Sequence, residues 1–278
     1  MKIMLVRDRN VLNNNWLAYF ANLLHERGHE VVIACDTYGK LGVSAPGHEL
    51  EPGVRLANVN GKTSSPLQNF WRRIRCKALP SWHLFDRLIK AEKPDVIICY
   101  FPVDLYNVTR FQHHNIPIVQ MVHGYPPMIL DKVLHKNPLS RAFCRQSFAR
   151  INTWQVLMNS YKKEIDPFFA PQNVVRIANP VKQYAENEMA DLSAEKKRII
   201  YVARIEKKTK RPHLLVEAFA KIAAEFPDWK VEIWGMRKYP EYEKEINDFI
   251  RAHNLTGQVA LMGYTEDVEG LYRRADIH

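Results

Sequence analysis

The chain has 278 residues, 46% hydrophobic and 25% charged; this is globular composition, and it excludes a disordered, collagen-like or disulfide-scaffold protein. At roughly 150 residues per domain the length predicts two domains. Forty Lys and Arg against 30 Asp and Glu leave a net charge of +10, an excess that a nucleic acid, an anionic membrane or a phosphorylated ligand would explain. The excess is uneven: residues 1–190 hold 24 basic and 15 acidic side chains, +9 net, and residues 191–278 hold 16 and 15, +1 net. No stretch approaches the ~18 apolar residues of a membrane span. The apolar part of Met1–Asp8 is too short for a signal peptide, so the chain reads as cytoplasmic. Cys35, Cys76, Cys99 and Cys144 form no Cys-x-x-Cys pair, which predicts buried reduced thiols and neither a disulfide framework nor a metal site.

Lys2–Val6 predicts a short strand, followed by a loop from Arg7 to Asn15. Trp16, Leu17, Phe20, Leu23 and Leu24 recur at helical spacing, and Gly28 stands where a helix stop belongs. Glu30–Cys35 is apolar on both faces, as a central parallel strand should be. Strand, helix and strand within about 35 residues make a βαβ unit. Further strands are expected at Pro94–Tyr100, Ile116–Val122, Trp154–Met158 and Val174–Ala178, with helices over Leu84–Ala91 and Arg141–Thr153. Val181–Lys197 is poor in large apolar residues and reads as a linker. Alternation then restarts: strand Ile199–Ala203, helix Pro212–Phe226, strand Lys230–Trp234, helix Tyr239–His253, strand Val259–Met262 and helix Val268–Ala275. Another strand is expected to begin at Asp276-Ile277-His278. The division is residues 1–180, a linker 181–197, and 198–278 as an incomplete second domain: α/β, two Rossmann-like doubly wound units.

Two local patterns carry no chemistry. Gly61-Lys62-Thr63 resembles the end of a phosphate-binding loop, but Leu56 stands where that loop needs Gly and Ser64-Ser65-Pro66 follows in place of a helix. His113-His114 has no further ligands nearby and reads as an exposed helix-end pair.

The informative run is Val202–Phe219: a strand end, the basic loop Arg204-Ile205-Glu206-Lys207-Lys208-Thr209-Lys210-Arg211, then a helix with Pro212 in its first turn. Open α/β sheets bind ligands outside the carboxyl ends of their strands. Cations there would face a polyanion, assisted by free amides of the helix N-terminus. A solvated charge run is the alternative, and position at the strand end favours the binding reading.

Val202–Phe219, Trp229–Gly235 and Val259–Asp276, together with Val122-His123-Gly124, Val156–Ser160 and Val174–Val181, resemble in order the blocks of glycosyltransferase family 4, the retaining group with the GT-B fold that uses nucleotide-sugar donors. The resemblance spans nearly the whole chain. It implies that Arg204 and Lys210 grip the donor diphosphate, with Lys208 able to replace Lys210 because the spacing is one residue longer than the common pattern. It implies that His123 lines the sugar and acceptor cleft as the catalytic histidine, against a turn histidine as the alternative. It places Gly235, Gly263, Tyr264 and Thr265 near the nucleobase, where plain turn chemistry is the alternative. No cofactor and no metal are expected, since fixed cations do the work of Mg²⁺. In the first loop Asn13 and Asn14 stand where the family often carries a Gly-Gly pair; Asn tolerates left-handed backbone. Two family glutamates spaced eight apart lie beyond Asp276, so the second domain reads as truncated.

The resulting expectation is a transferase acting on a saccharide or lipid-linked acceptor, of the cell-surface polysaccharide or lipopolysaccharide type. It would sit peripherally at an anionic membrane through Trp71-Arg72-Arg73-Ile74-Arg75-Cys76-Lys77, Arg141, Arg145 and Arg150. The alternatives are a truncated, non-catalytic fragment that binds nucleotide or a partner only, and a nucleic-acid-binding protein. The near-neutral second domain and the lack of a reading motif argue against the last, so no nucleic acid is expected.

Overall fold

A computed structural model describes residues 1–7, 15–36, 49–60, 65–68, 70–71, 82–110, 114–134, 138–166, 173–181, 183–191, 193 and 197–278. It forms two compact units, Met1–Val181 and Lys182–His278.

The first unit runs β1 (Lys2–Arg7), α1 (Asn15–Glu26), β2 (Glu30–Cys35), β3 (Arg55–Asn58), α2 (Trp82–Glu92), β4 (Val96–Cys99), α3 (Pro102–Thr109), β5 (Ile118–Val122), α4 (Pro126–Leu134), α5 (Pro138–Phe148), β6 (Thr153–Val156), α6 (Tyr161–Ile165) and β7 (Val174–Arg176). Its strands form one parallel sheet in the order β3-β2-β1-β4-β5-β6-β7. The inner strands are apolar on both faces because helices cover both. Ile3 and Leu5 of β1 pack with Leu17 and Ala21 of α1. Met4 and Val6, their alternates, pack with Phe85, Ile89, Leu105 and Val108. Each large side chain buried in this way contributes roughly 1.5–3 kcal/mol. The order reverses between β1 and β4, and the carboxyl ends of these strands are the switch point where α/β sheets place ligands.

The second unit runs β8 (Arg198–Val202), α7 (His213–Ala220), β9 (Lys230–Trp234), α8 (Pro240–Ala252), β10 (Val259–Gly263) and α9 (Val268–Arg273), after a 3-10 turn at Glu186–Glu188. Its sheet is parallel, in the order β10-β9-β8. Ile277 lies beside Ile199 in a parallel bridge, and the Ile200 amide donates to its carbonyl at 2.8 Å. Val216 and Phe219 of α7 and Tyr242, Ile246 and Ile250 of α8 pack on Val231 and Ile233. On the other face buried Glu232 accepts from Arg198 and, at 2.9 Å, from Arg274 and the Trp234 indole. The 184–190 segment, part of the stretch read as a linker, packs on α9: the Tyr184 hydroxyl donates to Glu269 and Arg273 Nε donates to the Glu188 carbonyl, both at 2.8 Å.

The α/β alternation stands as the sequence predicts, and the differences have physical causes. β3 is an edge strand, only partly buried, so its hydrophobic signal is weak. The helix α4 opens on Pro126-Pro127, which reads as a turn although proline is well tolerated in a first turn. The helix α3 likewise opens on Pro102, and the Asp104 carboxylate accepts from the Phe101 amide at 2.6 Å. The helix expected over Arg141–Thr153 is displaced: α5 is Pro138–Phe148, because Thr153 begins β6 and the Asn152 side chain caps the Ile118 amide at 2.8 Å. The helix expected to Phe226 ends at Ala220 and tightens into i→i+3 turns; the Gln258 amide donates to the freed Phe226 carbonyl at 2.8 Å. His114 is not exposed. It is half-buried, with Nε2 3.1 Å from the Val108 carbonyl; His113 and Gly61-Lys62-Thr63 lie outside the described residues. Cys35, Cys99 and Cys144 are buried thiols outside any disulfide among the described residues; Cys76 lies outside the described residues.

Candidate functional site

In the second unit the site begins at the carboxyl end of β8. The Ala203 amide donates to the Trp234 carbonyl at 2.9 Å, and buried Ile205 donates to the Met236 carbonyl at 3.3 Å. Arg204 lies between these two anchors, its side chain 63% exposed and its Nη1 3.4 Å from Glu206. The loop beyond is folded on itself. Glu206 accepts from the Thr209 hydroxyl and its carbonyl from the Arg211 amide at 2.8 Å; Tyr201 donates to the Lys210 carbonyl. The Thr209 hydroxyl, with Arg204 beside it, holds the Glu206 carboxyl below the ordinary carboxylate range. Lys207 is committed to Glu245 of α8 at 2.6 Å. Lys208 and Lys210 are exposed and make no ion pair among the described residues.

One expectation needs correcting. The first-turn amides of α7 are not free for an anion: the His213 amide donates to the Tyr242 hydroxyl at 3.3 Å, Leu214 to the Arg211 carbonyl and Leu215 to the Pro212 carbonyl, both at 3.1 Å. An anion at this end of the sheet would meet the side-chain cations.

Gly235 and Gly263 meet beside Arg204. The Gly235 amide donates to the Gly263 carbonyl at 2.7 Å. A Cβ on Gly235 would lie 1.7 Å from the Ala203 carbonyl oxygen, so β8 and β9 close here only around glycine. Gly263 has φ of +101°, backbone that favours glycine. Tyr264 is 67% exposed, open for stacking. The Thr265 hydroxyl accepts from the Asp267 amide at 3.1 Å, and Asp267 caps α9 through the Gly270 amide at 2.8 Å; this is local turn chemistry. Sequence reasoning missed Arg237, which pairs with Ile205 across the strand ends, donates to the Leu261 carbonyl at 2.6 Å and sits 3.7 Å from Glu243. Its signal was its place two residues past Gly235. A cavity of about 400 Å³ at Tyr184, Met189 and Tyr272 and one of about 90 Å³ at His213, Glu245 and Phe249 have no lining from Arg204, Lys208 or Lys210.

In the first unit His123 follows β5 directly and is enclosed by rings that the sequence scatters. Trp16 of α1 meets it edge-on at 4.5 Å between centroids, and Tyr100, just after β4, meets it at 4.6 Å and 31°. Phe20 stacks on Trp16 at 5.0 Å. The Arg7 guanidinium, at the end of β1, lies over Phe101 at 4.2 Å and Tyr100 at 4.9 Å. Burial pushes the His123 pKa down to about 4, so the ring is neutral at pH 7. Among the described residues its Nε2, the Trp16 Nε1 and the Arg7 Nε are buried with no hydrogen-bond partner. Trp16 and Tyr100 were legible only as helix and strand positions. Asn13 and Asn14 lie outside the described residues. Of the expected membrane-facing cations, Arg141 and Arg145 are exposed. Arg150 is not free: it is half-buried and donates to the Thr109 carbonyl at 3.1 Å and the His114 carbonyl at 2.8 Å. Residues 72–77 lie outside the described residues. Among the described residues no three His, Cys, Asp or Glu side chains group as metal ligands, and no helix is long and apolar enough to cross a membrane.

Among solved structures, sucrose-phosphate synthase from Thermosynechococcus elongatus matches with a TM-score of 0.65 at 11% identity, over 99% of this chain and 74% of that one. A TarM mutant from S. aureus, in complex with fondaparinux, alpha-GlcNAc-glycerol and UDP, matches with 0.64 at 14%, over 95% and 78%. HepE from Anabaena, in complex with UDP and glucose, matches with 0.63 at 15%, over 99% and 72%. At such identities the likeness shows the fold, the GT-B type of α/β architecture. No curated protein matches the sequence. A family model described as Glycosyl transferases group 1 matches residues 185–278, the unit that carries Arg204 and Lys210. The model of Glycosyltransferase Family 4 matches residues 14–182, more than half of the 278 residues, and the chain therefore belongs to that family of glycosyltransferases.

Proposed function

We propose that the chain transfers a sugar from a nucleoside-diphosphate sugar to a saccharide or lipid-linked acceptor, of the kind used for cell-surface polysaccharide or lipopolysaccharide, with retention of anomeric configuration. The observation that carries the reading is the set Arg204, Lys208 and Lys210 at the end of the first strand of the second unit, with Glu206 beside Arg204 accepting from the Thr209 hydroxyl. Cleaving the sugar–phosphate bond releases a diphosphate whose charge grows along the reaction. Cations fixed before the step stabilise that charge without reorganisation, and in this reading they supply what a metal ion would otherwise supply. Tyr264, with Gly235 and Gly263, would take the base. His123 would meet the sugar and acceptor, and Asn13 and Asn14 would border the donor phosphate. The leaving diphosphate would help to deprotonate the acceptor hydroxyl.

UDP and ADP are reasonable probes, since solved structures of similar fold hold them. Calorimetry should show one of them binding the chain, with affinity falling at least about tenfold in Arg204→Ala, a loss of ~1.4 kcal/mol. Undiminished binding by the variant rejects the diphosphate role.

The acceptor would lie at an anionic membrane surface. Support comes from exposed Leu67, Phe70 and Trp71 and from exposed Arg141 and Arg145 in the same unit, a pairing of bulky apolar and basic groups suited to interfacial docking. Co-sedimentation with phosphatidylserine vesicles but not with neutral ones is expected; no difference between the two removes the membrane from the reading.

A further inference from the structure

The ring cluster around His123 is drawn from α1, the end of β4 and the end of β5, three places far apart in sequence. Trp16 and Tyr100 lie 5.5 Å apart and both face the imidazole. Phe20 stacks behind Trp16, and Phe101 stands edge-on to Tyr100 at 4.7 Å. The imidazole thus loses water on the sides that the two rings cover. Among the described residues Nε2 is buried without a hydrogen-bond partner, and so is the neighbouring indole Nε1. A satisfied core histidine would have its ring nitrogen bonded to a carbonyl or carboxylate.

From this geometry we propose that Trp16 and Tyr100 are positioning residues, which pack against His123 and keep its imidazole a neutral hydrogen-bonding group for the incoming sugar. The inference rests on the glycosyltransferase reading for the identity of the arriving group, and on the ring geometry alone for the state of the histidine. The charged and titratable groups around it agree. Arg7, on β1, lies over the Tyr100 and Phe101 rings and is no cause of the lowered His123 pKa, which burial alone produces. Asp104, on α3, is turned to the Phe101 amide, and Glu164, on α6, accepts from the Tyr125 hydroxyl at 3.2 Å. Among the described residues no carboxylate is hydrogen-bonded to His123, and burial by itself lowers its pKa. The chemistry has a use for this. Departure of an anionic diphosphate leaves positive charge on the sugar, and an imidazolium beside it would oppose that charge. A neutral imidazole can still donate to or accept from a hydroxyl.

The test is NMR titration of the full chain with labelled histidine, the His123 resonance among 11 histidines identified by its loss in His123→Gln. In the unmodified protein His123 should stay neutral through pH 6, near one per cent protonated for a pKa of about 4. Trp16→Leu and Tyr100→Leu should each raise its pKa by at least about one unit, a tenfold change, and Trp16→Phe, which keeps a ring, should move it far less. A His123 that titrates near its ordinary ~6.5 in the unmodified chain overturns the proposal, and so does a leucine variant that folds and leaves the titration where it was. If one leucine variant does not fold, the other and the unmodified chain still decide. Failure of the nucleotide-binding test would reject the transferase reading and leave this titration untouched, since no nucleotide is needed to measure it.

Discussion

Gly235→Ala joins the fold of the second unit to the cations proposed to hold the donor diphosphate. The new methyl would stand 1.7 Å from the Ala203 carbonyl oxygen, 2.7 Å from the carbonyl carbon and 3.4 Å from the Arg204 amide. Ordinary contact begins near 3.4 Å, so the two strand ends must part by about 1.7 Å, the difference between those two distances. Parting them stretches the Ala203-to-Trp234 and Ile205-to-Met236 hydrogen bonds, now 2.9 and 3.3 Å, past any useful length and disturbs the 2.7 Å bond from Gly235 to Gly263. Two or three backbone bonds at roughly 1 kcal/mol each predict a loss of ~2–4 kcal/mol. For a chain of this size that lowers Tm by roughly 5–15 °C. Gly257→Ala is the control, because a Cβ there meets nothing within 4 Å. Thermal unfolding and calorimetry with UDP would be run on both. The Gly235 variant should unfold early and bind nucleotide weakly, since its displaced strand end carries Arg204. Equal Tm values for the two variants would refute the close-approach argument, and full nucleotide affinity in a destabilised Gly235 variant would refute its link to Arg204.

Glu232→Ala should lower the urea midpoint by an amount equivalent to ~2 kcal/mol, because it strips the shared acceptor from Arg198, Arg274 and the Trp234 indole. The cost stays below the 3–5 kcal/mol of a fully buried pair because both arginines remain more than a third exposed and can rehydrate; an unchanged midpoint rejects the clamp. Stability should also fall with pH in two stages. The His123 pKa is lowered to about 4 from 6.5, and burial lowers His114 as well. The unfolded chain therefore binds protons that the folded chain refuses between about pH 6.5 and 4, and stability drops over that window. With solvent screening at these half-exposed rings, His123 contributes about 1–2 kcal/mol of the drop. Glu92, held below its ordinary 4.5 by Arg55 and Lys2, adds a second loss as pH falls through its lowered value. Urea unfolding at pH 7, 5.5 and 4 measures both, and a flat profile from pH 7 to 5 contradicts the first.

The architecture and the place of Arg204, Lys208 and Lys210 just beyond a strand were legible because their signals are local. Continuous apolar runs at Lys2–Val6 and Glu30–Cys35 state that both strand faces are covered, and Gly28, with φ of +82°, ends α1 where its spacing predicts. Arg204, Lys208 and Lys210 follow a strand directly, so strand order alone puts them at a ligand-binding edge. The ring cluster was not legible. Arg7, Trp16, Tyr100 and His123 belong to different elements, and their meeting depends on β1 lying between β2 and β4, with β5 beyond. Nor could sequence show that Arg150 would be spent on two backbone carbonyls, or that the α7 amides would already be satisfied.

By itself, then, the sequence determined the alternation of strands and helices, which of the inner strands are covered on both faces, and the family to which the blocks belong, because periodicity and short motifs are written along the chain. Only the tertiary structure decided that Gly235 admits no side chain and that Trp16 and Tyr100 pack against His123, where burial lowers its pKa. Both follow from distances between strand ends and between rings far apart in sequence, which are set when the sheet closes.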